Sequence, residues 1–399
     1  MRAAFRFALL VAGALPVLAF AAPAEHVRLE IVLMRHGVRS PTSAPEKLGV
    51  YSSDAWPAWP VAPGILTPHG EEGMRALGES YRKRLVAEGT LAQACPSPAE
   101  VDVIGDSTPR NRASAKALVA GLAPGCDLAF RGLPAGTNNP LFHYGKGNND
   151  DGDDVAPPSL ASPALAELQQ VLLGCNDVAC LAAARDNGKK PLDMKSAGSL
   201  SENLMLSYVQ GMPLADVGWG RADVAAIGRL ITLHNAEFAA SKKSQPAASR
   251  AGSNLMLHIL ATLQSAAGRT SGIDALTPTS TRVLVLVGHD TNLANIAGVL
   301  GVDWHDASRP DDYPPGGALV FDLVEKAGGY VVRTRTVMPS LDDLRHNRFN
   351  ALAVKPVSMS GCVKPTECTL VEFSKRIGPN LDKSRIDDSV PAMTSFSTL

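Results

Sequence analysis

The chain has 399 residues, 45% of them hydrophobic, and a formal net charge of −1. That length and apolar content exclude a disordered chain and allow one large domain with an insertion, or two domains. Near-neutrality removes any electrostatic case for nucleic acid as a partner, so a basic site has to be local.

Arg2 and Arg6 open the chain, Phe7 to Phe20 is apolar, and Ala19-Phe20-Ala21 offers a small-x-small cleavage site. Met1 to about Ala22 is therefore expected to be a signal peptide, with the mature protein periplasmic or secreted. The run is short for a bilayer and no later stretch is long and apolar enough, so no membrane association is expected after cleavage. Leu29 to Met34 follows as a buried strand that ends in Arg35-His36-Gly37. Glu71 to Val86 has a helical pattern, with Thr67-Pro68 as N-cap and first-turn proline. Val101 to Ile104 is a second strand, and the alanine-rich stretch Arg112 to Leu122 a second helix.

Asn138 to Pro158 is rich in Asn, Asp, Gly and Pro and reads as a solvated loop. Its acidic run Asp150 to Asp154 lacks EF-hand spacing and is not read as a metal site. Ser159 to about Leu263 is helical in pattern, broken at Gly211-Met212-Pro213, and Ser241 to Gly252 reads as a flexible connection. Arg282 to Val287 is a further strand, ending in Gly288-His289-Asp290 and followed by a small apolar helix from Asn292 to Leu300 that stops at Gly301. Ala318 to Asp322 and Tyr330 to Val337 form a hairpin around Ala327-Gly328-Gly329. The pattern predicts an α/β fold, a mainly parallel sheet flanked by helices, with a mostly helical second domain inserted. The divisions are 1–22 signal peptide, 23–139 first α/β part, 140–275 helical insertion and 276–399 second α/β part.

In such sheets ligand sites lie beyond the carboxyl ends of the strands, where Arg35-His36, Arg110 and His289-Asp290 all fall. The segment Arg35-His36-Gly37-Val38-Arg39-Ser40-Pro41-Thr42 places a histidine at the end of a buried strand between two guanidinium groups whose planar forks match phosphate oxygens. A neutral imidazole can attack phosphorus and later leave. Arginines can stabilise charge on the transferring phosphoryl group, so no metal or other cofactor is needed. In Gly288-His289-Asp290-Thr291-Asn292, His289 can donate to phosphate and Asp290 can protonate the leaving oxygen. The nine histidines never fall at i, i+4, no Cys-x-x-Cys pair occurs, and a zinc hydrolase is not expected. The six cysteines fall in three local groups, Cys95/Cys126, Cys175/Cys180 and Cys362/Cys368. Export favours disulfides, although six cysteines allow about 15 pairings.

The combination of Arg-His-Gly-x-Arg-x-Pro with a distant His-Asp resembles the histidine acid phosphatase family of the histidine phosphatase superfamily, and its bacterial periplasmic phytase and glucose-1-phosphatase group in particular. The similarity runs from about Val27 to about Phe373 and includes Gly121-Leu122-Ala123-Pro124, Gln210-Gly211-Met212-Pro213, Gly218-Trp219-Gly220-Arg221, Leu233-His234-Asn235-Ala236 and Pro314-Pro315-Gly316-Gly317. The resemblance implies that His36 is the nucleophile and Asp290 the proton donor. Arg35, Arg39, Arg110 and His289 would bind the phosphate, and Thr42 would lie in the substrate pocket. Glu202 aligns with a glutamate at the pocket edge, and the three cysteine groups match three family disulfides. Ser43 stands where similar phytases often carry a lysine, which weakens the case for a substrate bearing six phosphates. The expected activity is phosphomonoester hydrolysis, with phytate or sugar phosphates as substrate and the chain acting as a monomer. A narrow sugar-phosphate phosphatase such as a glucose-1-phosphatase is the alternative. A phosphoglycerate-mutase-like enzyme would share the Arg-His-Gly start, and a non-catalytic phosphate-ester binder would keep the arginines.

Overall fold

A computed structural model describes residues 26–143, 162–175 and 177–397. The segment expected to be a signal peptide and the acidic run Asp150 to Asp154 lie outside the described residues.

The first half of the chain builds strand β1 (His26–Arg35), a short helix α1 (Pro45–Leu48), helix α2 (Pro68–Ala87), strand β2 (Val101–Gly105), helix α3 (Pro109–Leu122) and strand β3 (Phe130–Gly132). Thr67 caps α2 as expected, its side chain accepting from the Gly70 amide, and Pro68 takes the first turn. A helical run follows: α4 (Pro163–Leu173), α5 (Val178–Asp186), α6 (Met194–Val209), α7 (Val224–Leu230), α8 (Thr232–Ser241) and α9 (Gln245–Ala266). The chain then returns to the sheet with β4 (Val283–Gly288), α10 (Asp290–Leu300), β5 (Ala318–Lys326), β6 (Gly329–Met338), α11 (Leu341–His346), β7 (Ala353–Pro356), β8 (Cys368–Thr369), α12 (Leu370–Ile377) and β9 (Thr394–Phe396).

The strands form one sheet in the order β7-β6-β5-β1-β4-β2-β3-β9, with β8 paired to β6. Its centre, β1-β4-β2-β3, is parallel, and antiparallel strands close both flanks. Side chains alternate across a strand, so each apolar run supplies two faces. Val32 and Met34 of β1 and Val283, Val285 and Val287 of β4 pack with Met74, Leu77 and Leu85 of α2 and Leu118 and Leu122 of α3. Leu29, Ile31 and Leu33, with Leu284 and Leu286, pack on the other face with Leu255, Met256 and Ile259 of α9, Ile296 and Leu300 of α10, and Phe373 of α12. Each such side chain contributes roughly 1.5–3 kcal/mol by leaving water.

The segment Ser241 to Gly252 is not a flexible connection. Residues 245–266 form the continuous helix α9, leaving only Lys242 to Ser244 between α8 and α9. Proline in the first turn starts this helix rather than breaking it. The polar residues that resemble a linker make tertiary bonds: Gln245 Nε2 donates to Gly298 O at 2.5 Å and Ser249 Oγ to Asn380 O at 2.7 Å. Ala248 is fully buried.

All three local cysteine groups are disulfides, Cys95–Cys126, Cys175–Cys180 and Cys362–Cys368. Among the described residues no helix is long and apolar enough to cross a membrane.

Candidate active site

Three parallel strands end at one place. β1 delivers Arg35 and His36, β2 delivers Asp106, and β4 delivers His289 and Asp290 at the start of α10. The junction is tied by backbone bonds: His36 N–H donates to Gly288 O at 3.0 Å, and Arg35 N–H to Gly317 O at 3.0 Å. Gly37 is needed for the chain to pass α2, since a Cβ there would sit 2.6 Å from Met74 Cγ and 2.9 Å from Gly70 O.

His36 is 1% exposed. Its Nδ1 lies 2.8 Å from Gly37 O. A carbonyl only accepts, so Nδ1 carries the hydrogen and Nε2 is left with its lone pair. Burial holds the His36 pKa well below the usual histidine value, and the charges of Arg110, Arg35 and Arg39 act in the same direction. The ring is therefore a neutral base with its Nε2 lone pair available, as a nucleophile requires.

Arg35 is fully buried. Its Nη1 donates to Tyr313 O at 2.5 Å, and its Nη2 pairs with Glu202 and with Asp290 Oδ2, the latter at 2.8 Å. Arg39 Nη2 reaches both oxygens of Glu202 at 3.0 Å. Glu202 thus lies not at an open rim but under both motif arginines, with 6% exposure, carried in by α6 of the helical run. Burial would raise its pKa, but Arg39 and Arg35 hold it below the usual carboxylate range. Arg110, in the first turn of α3, brings Nη2 to 3.1 Å from His289 Nδ1. Burial, then the charge of Arg39, lowers the Arg110 pKa to about 10. The Nε atoms of Arg35, Arg39 and Arg110 are all buried and without a hydrogen-bond partner among the described residues.

His289 is the N-cap of α10, and its backbone N–H donates to Asn292 Oδ1 at 2.9 Å. Asp290 opens the helix, and its Oδ1 accepts from the Thr291 amide. Thr42 is exposed; a Cβ on Gly64 would lie 3.7 Å from Thr42 Cγ2 and 4.0 Å from Arg110 Nη1, so both side chains lie beside Gly64. Ser43, next to it, is half-buried and makes no hydrogen bond to these groups among the described residues.

Three further residues belong here to which the sequence motifs assign no role. Asp106, fully buried just beyond β2, accepts from His289 Nε2 at 2.8 Å and from His143 Nε2 at 3.0 Å. Its position at a parallel strand's carboxyl end was a usable signal. His143 had none, because only tertiary folding brings it to Asp106. His234 of α8 lies with a ring nitrogen within 4.8 Å of carboxylate oxygens of Glu202 and Asp290. It stands in the Leu233-His234-Asn235-Ala236 segment, but without a role.

Among the described residues two groups have metal-ligand spacing, Asp106 with His143 and His289, and Glu202 with His234 and Asp290. Their chemistry does not favour a cation. Arg35 and Arg39 already pair with the carboxylates of the second group, and Arg110 stands against His289 in the first. Three guanidinium groups with buried unpaired Nε–H donors call for an anion.

The model of the histidine phosphatase superfamily (branch 2) matches residues 27–336. Phytase AppA of Escherichia coli (strain K12) is 32% identical over 409 residues, covering 90% of this chain and 94% of the relative. Glucose-1-phosphatase of Salmonella typhimurium is 27% identical over 330 residues, covering 74% of this chain and 77% of the relative. Among solved structures, Hafnia alvei phytase in complex with myo-inositol hexakis sulphate superposes with a TM-score of 0.78 at 28% identity, covering 91% of this chain and 99% of that one.

Proposed function

The chain belongs to the histidine phosphatase superfamily (branch 2) and is a phosphomonoesterase of the histidine acid phosphatase family, and from that premise we propose that it cleaves phytate and sugar phosphates through a phosphohistidine on His36. The observation that carries this reading is a trio of arginines, Arg35 and Arg39 buried and Arg110 half-buried, whose buried Nε donors are unpartnered among the described residues, around a neutral His36 whose Nε2 lone pair is available.

The steps follow from the atoms. His36 Nε2 attacks phosphorus as the ester P–O bond breaks, and Arg35, Arg39 and Arg110 take the charge on the non-bridging oxygens. The proton for the leaving alkoxide comes from Asp290. Burial pushes the Asp290 pKa up, but Arg35 in particular holds it below the usual carboxylate range in the free enzyme. A phosphate dianion reverses this balance: it draws on Arg35 and adds a like charge beside the carboxylate, which favours the protonated acid. Water then attacks the phosphohistidine and gives its proton to Asp290. The P–N bond breaks, and neutral His36 is restored with inorganic phosphate released.

The lowered His36 pKa supports work in acid. Neutral imidazole is the active form, and it persists down through mildly acidic pH until His36 protonates. Three disulfides fit an oxidising compartment and support export to the periplasm or beyond. The activity would be that of a monomer. Phytate is favoured by the relatives named phytase, and the narrower sugar-phosphatase reading by the relative named glucose-1-phosphatase and by Ser43 in place of lysine.

The test is acid quenching during turnover of a labelled alkyl phosphate, run beside a panel of phytate, glucose 1-phosphate and p-nitrophenyl phosphate. Acid-labile label on the peptide that holds His36 is expected, together with loss of turnover by several orders of magnitude in His36→Ala. Full activity in that variant would overturn the mechanism.

A further inference from the structure

His143 enters the site from the turn that follows β3, where Asn139 O accepts its backbone N–H at 2.9 Å. Its Nε2 lies 3.0 Å from Asp106 Oδ2, the same oxygen that His289 Nε2 reaches at 2.8 Å, and the two rings are 4.7 Å apart. The Thr108 amide also points at that oxygen, at 3.3 Å. One carboxylate oxygen thus serves two imidazoles and an amide, and what it gives to one donor it withholds from the others.

This sharing bears on how His289 can hold phosphate. Its Nε2–H is committed to Asp106, so Nδ1 is the remaining ring atom, now facing Arg110 at 3.1 Å. Nδ1 can donate to a phosphate oxygen only after the ring takes a second proton. The charged or titratable groups that face the ring are Arg110 from α3, Asp106 after β2, His143 after β3, His36 at a ring distance of 5.5 Å, and Asp290 on its own helix. Burial lowers the His289 pKa to about 4; Asp106 opposes that fall, and Arg110 and His143 add to it.

We propose that His143 is a positioning residue that competes with His289 for the Asp106 oxygen and thereby sets the pH above which His289 ceases to be a charged phosphate ligand. The inference rests on the phosphatase reading above and deepens it by naming what tunes anion affinity. The sign follows from the shared oxygen. A protonated His289 is stabilised by Asp106, so a competing donor makes the ring lose its proton at lower pH. Removing that donor lets His289 keep its proton to higher pH.

Sulfate is the probe, because its charge stays constant where phosphate would titrate. Its Ki as a competitive inhibitor of p-nitrophenyl phosphate hydrolysis is measured between about pH 3 and 8 in the full disulfide-bonded enzyme. In His143→Ala the pH at which sulfate affinity falls should rise by about 1 unit, giving roughly 10-fold tighter sulfate binding above the wild-type limb. His143→Asn, too short to reach Asp106, should behave alike and serves if the alanine variant does not fold. His143→Gln keeps an amide donor near the Nε2 position and should stay close to wild type. In an Asp106→Asn background, His143→Ala should no longer move the limb. Coincident limbs for folded His143→Ala or His143→Asn and wild type would overturn the proposal, as would a His143→Gln limb that moves with the others. Failure of the underlying reading would look different: the wild-type enzyme would not turn over the ester, or sulfate would not compete.

Discussion

Asp106 and Asp290 are both buried carboxylates beyond the ends of parallel strands, and both are held below the usual carboxylate range for different reasons. Burial pushes each of them up. Asp106 is brought down by hydrogen bonds from His143 and His289, and Asp290 by the charge of Arg35. Imidazole donors fixed in the fold remain in place when substrate arrives. A guanidinium proposed to bind phosphate, as Arg35 is, is one for which the substrate would compete. On the proposed mechanism two similar carboxylates have different duties: Asp106 would stay an anion and orient a ligand, while Asp290 would gain proton affinity when a phosphate ester binds.

The strongest way to break that comparison is Asp290→Asn, which keeps size and polarity but delivers no proton. Cleavage of an alkyl ester such as glucose 1-phosphate should slow by about 10²–10⁴-fold, the usual range for acid catalysis. The loss on p-nitrophenyl phosphate, whose leaving group departs without help, should be clearly smaller when phosphoenzyme formation limits turnover. Pre-steady-state bursts identify that regime. Equal losses on both esters within it would mean that Asp290 only braces Arg35.

Asp106→Asn should give a smaller and differently shaped loss. It removes the charge that stabilises protonated His289 and weakens a charge-assisted bond of roughly 1.5–3 kcal/mol, equivalent to about 10–150-fold in anion affinity. The change should appear in KM and in sulfate Ki rather than in kcat, and it should be the same for alkyl and aryl esters. A loss that depends on the leaving group would make Asp106 a second proton donor and collapse the distinction.

Much of this architecture was legible in the sequence because it is local. The apolar runs that end in Arg35-His36 and in Gly288-His289 pair in register in the parallel centre of the sheet, Arg35 opposite Gly288. The hairpin of β5 and β6 and the caps at Thr67 and Gly301 follow from the residues that form them. Contacts made across long stretches of chain were not legible. His289 meets Asp106 across 183 positions, and Glu202 reaches Arg35 across 167. No local pattern shows that a glutamate on α6 will be buried under two arginines. The segment Ser241 to Gly252 failed for a related reason, since its Ser, Gln and Pro residues have linker-like composition until the carbonyls of Gly298 and Asn380 supply partners.

The comparison is sharpened last by a position that touches neither carboxylate. Ser43 lies one residue beyond Thr42, half-buried, without a hydrogen bond to the inner groups among the described residues. A cation there would meet the parts of a substrate that lie outside the phosphate being cleaved. Ser43→Lys should therefore leave the Asp290 and Asp106 effects unchanged and alter only the choice of ester. Two unit charges about 4 Å apart in water interact by about 1 kcal/mol, equivalent to roughly 5-fold in a binding constant. The ratio of kcat/KM for phytate to that for glucose 1-phosphate should rise by about that factor at low ionic strength, because only phytate carries further phosphates for the lysine to meet. The gain should shrink as salt is raised through about 0.1 M, where the screening length falls to about 10 Å. A ratio that does not move, or that rises without any dependence on salt, would place residue 43 outside the substrate's reach and leave discrimination between esters to other side chains, with Thr42 beside Gly64 the next to vary.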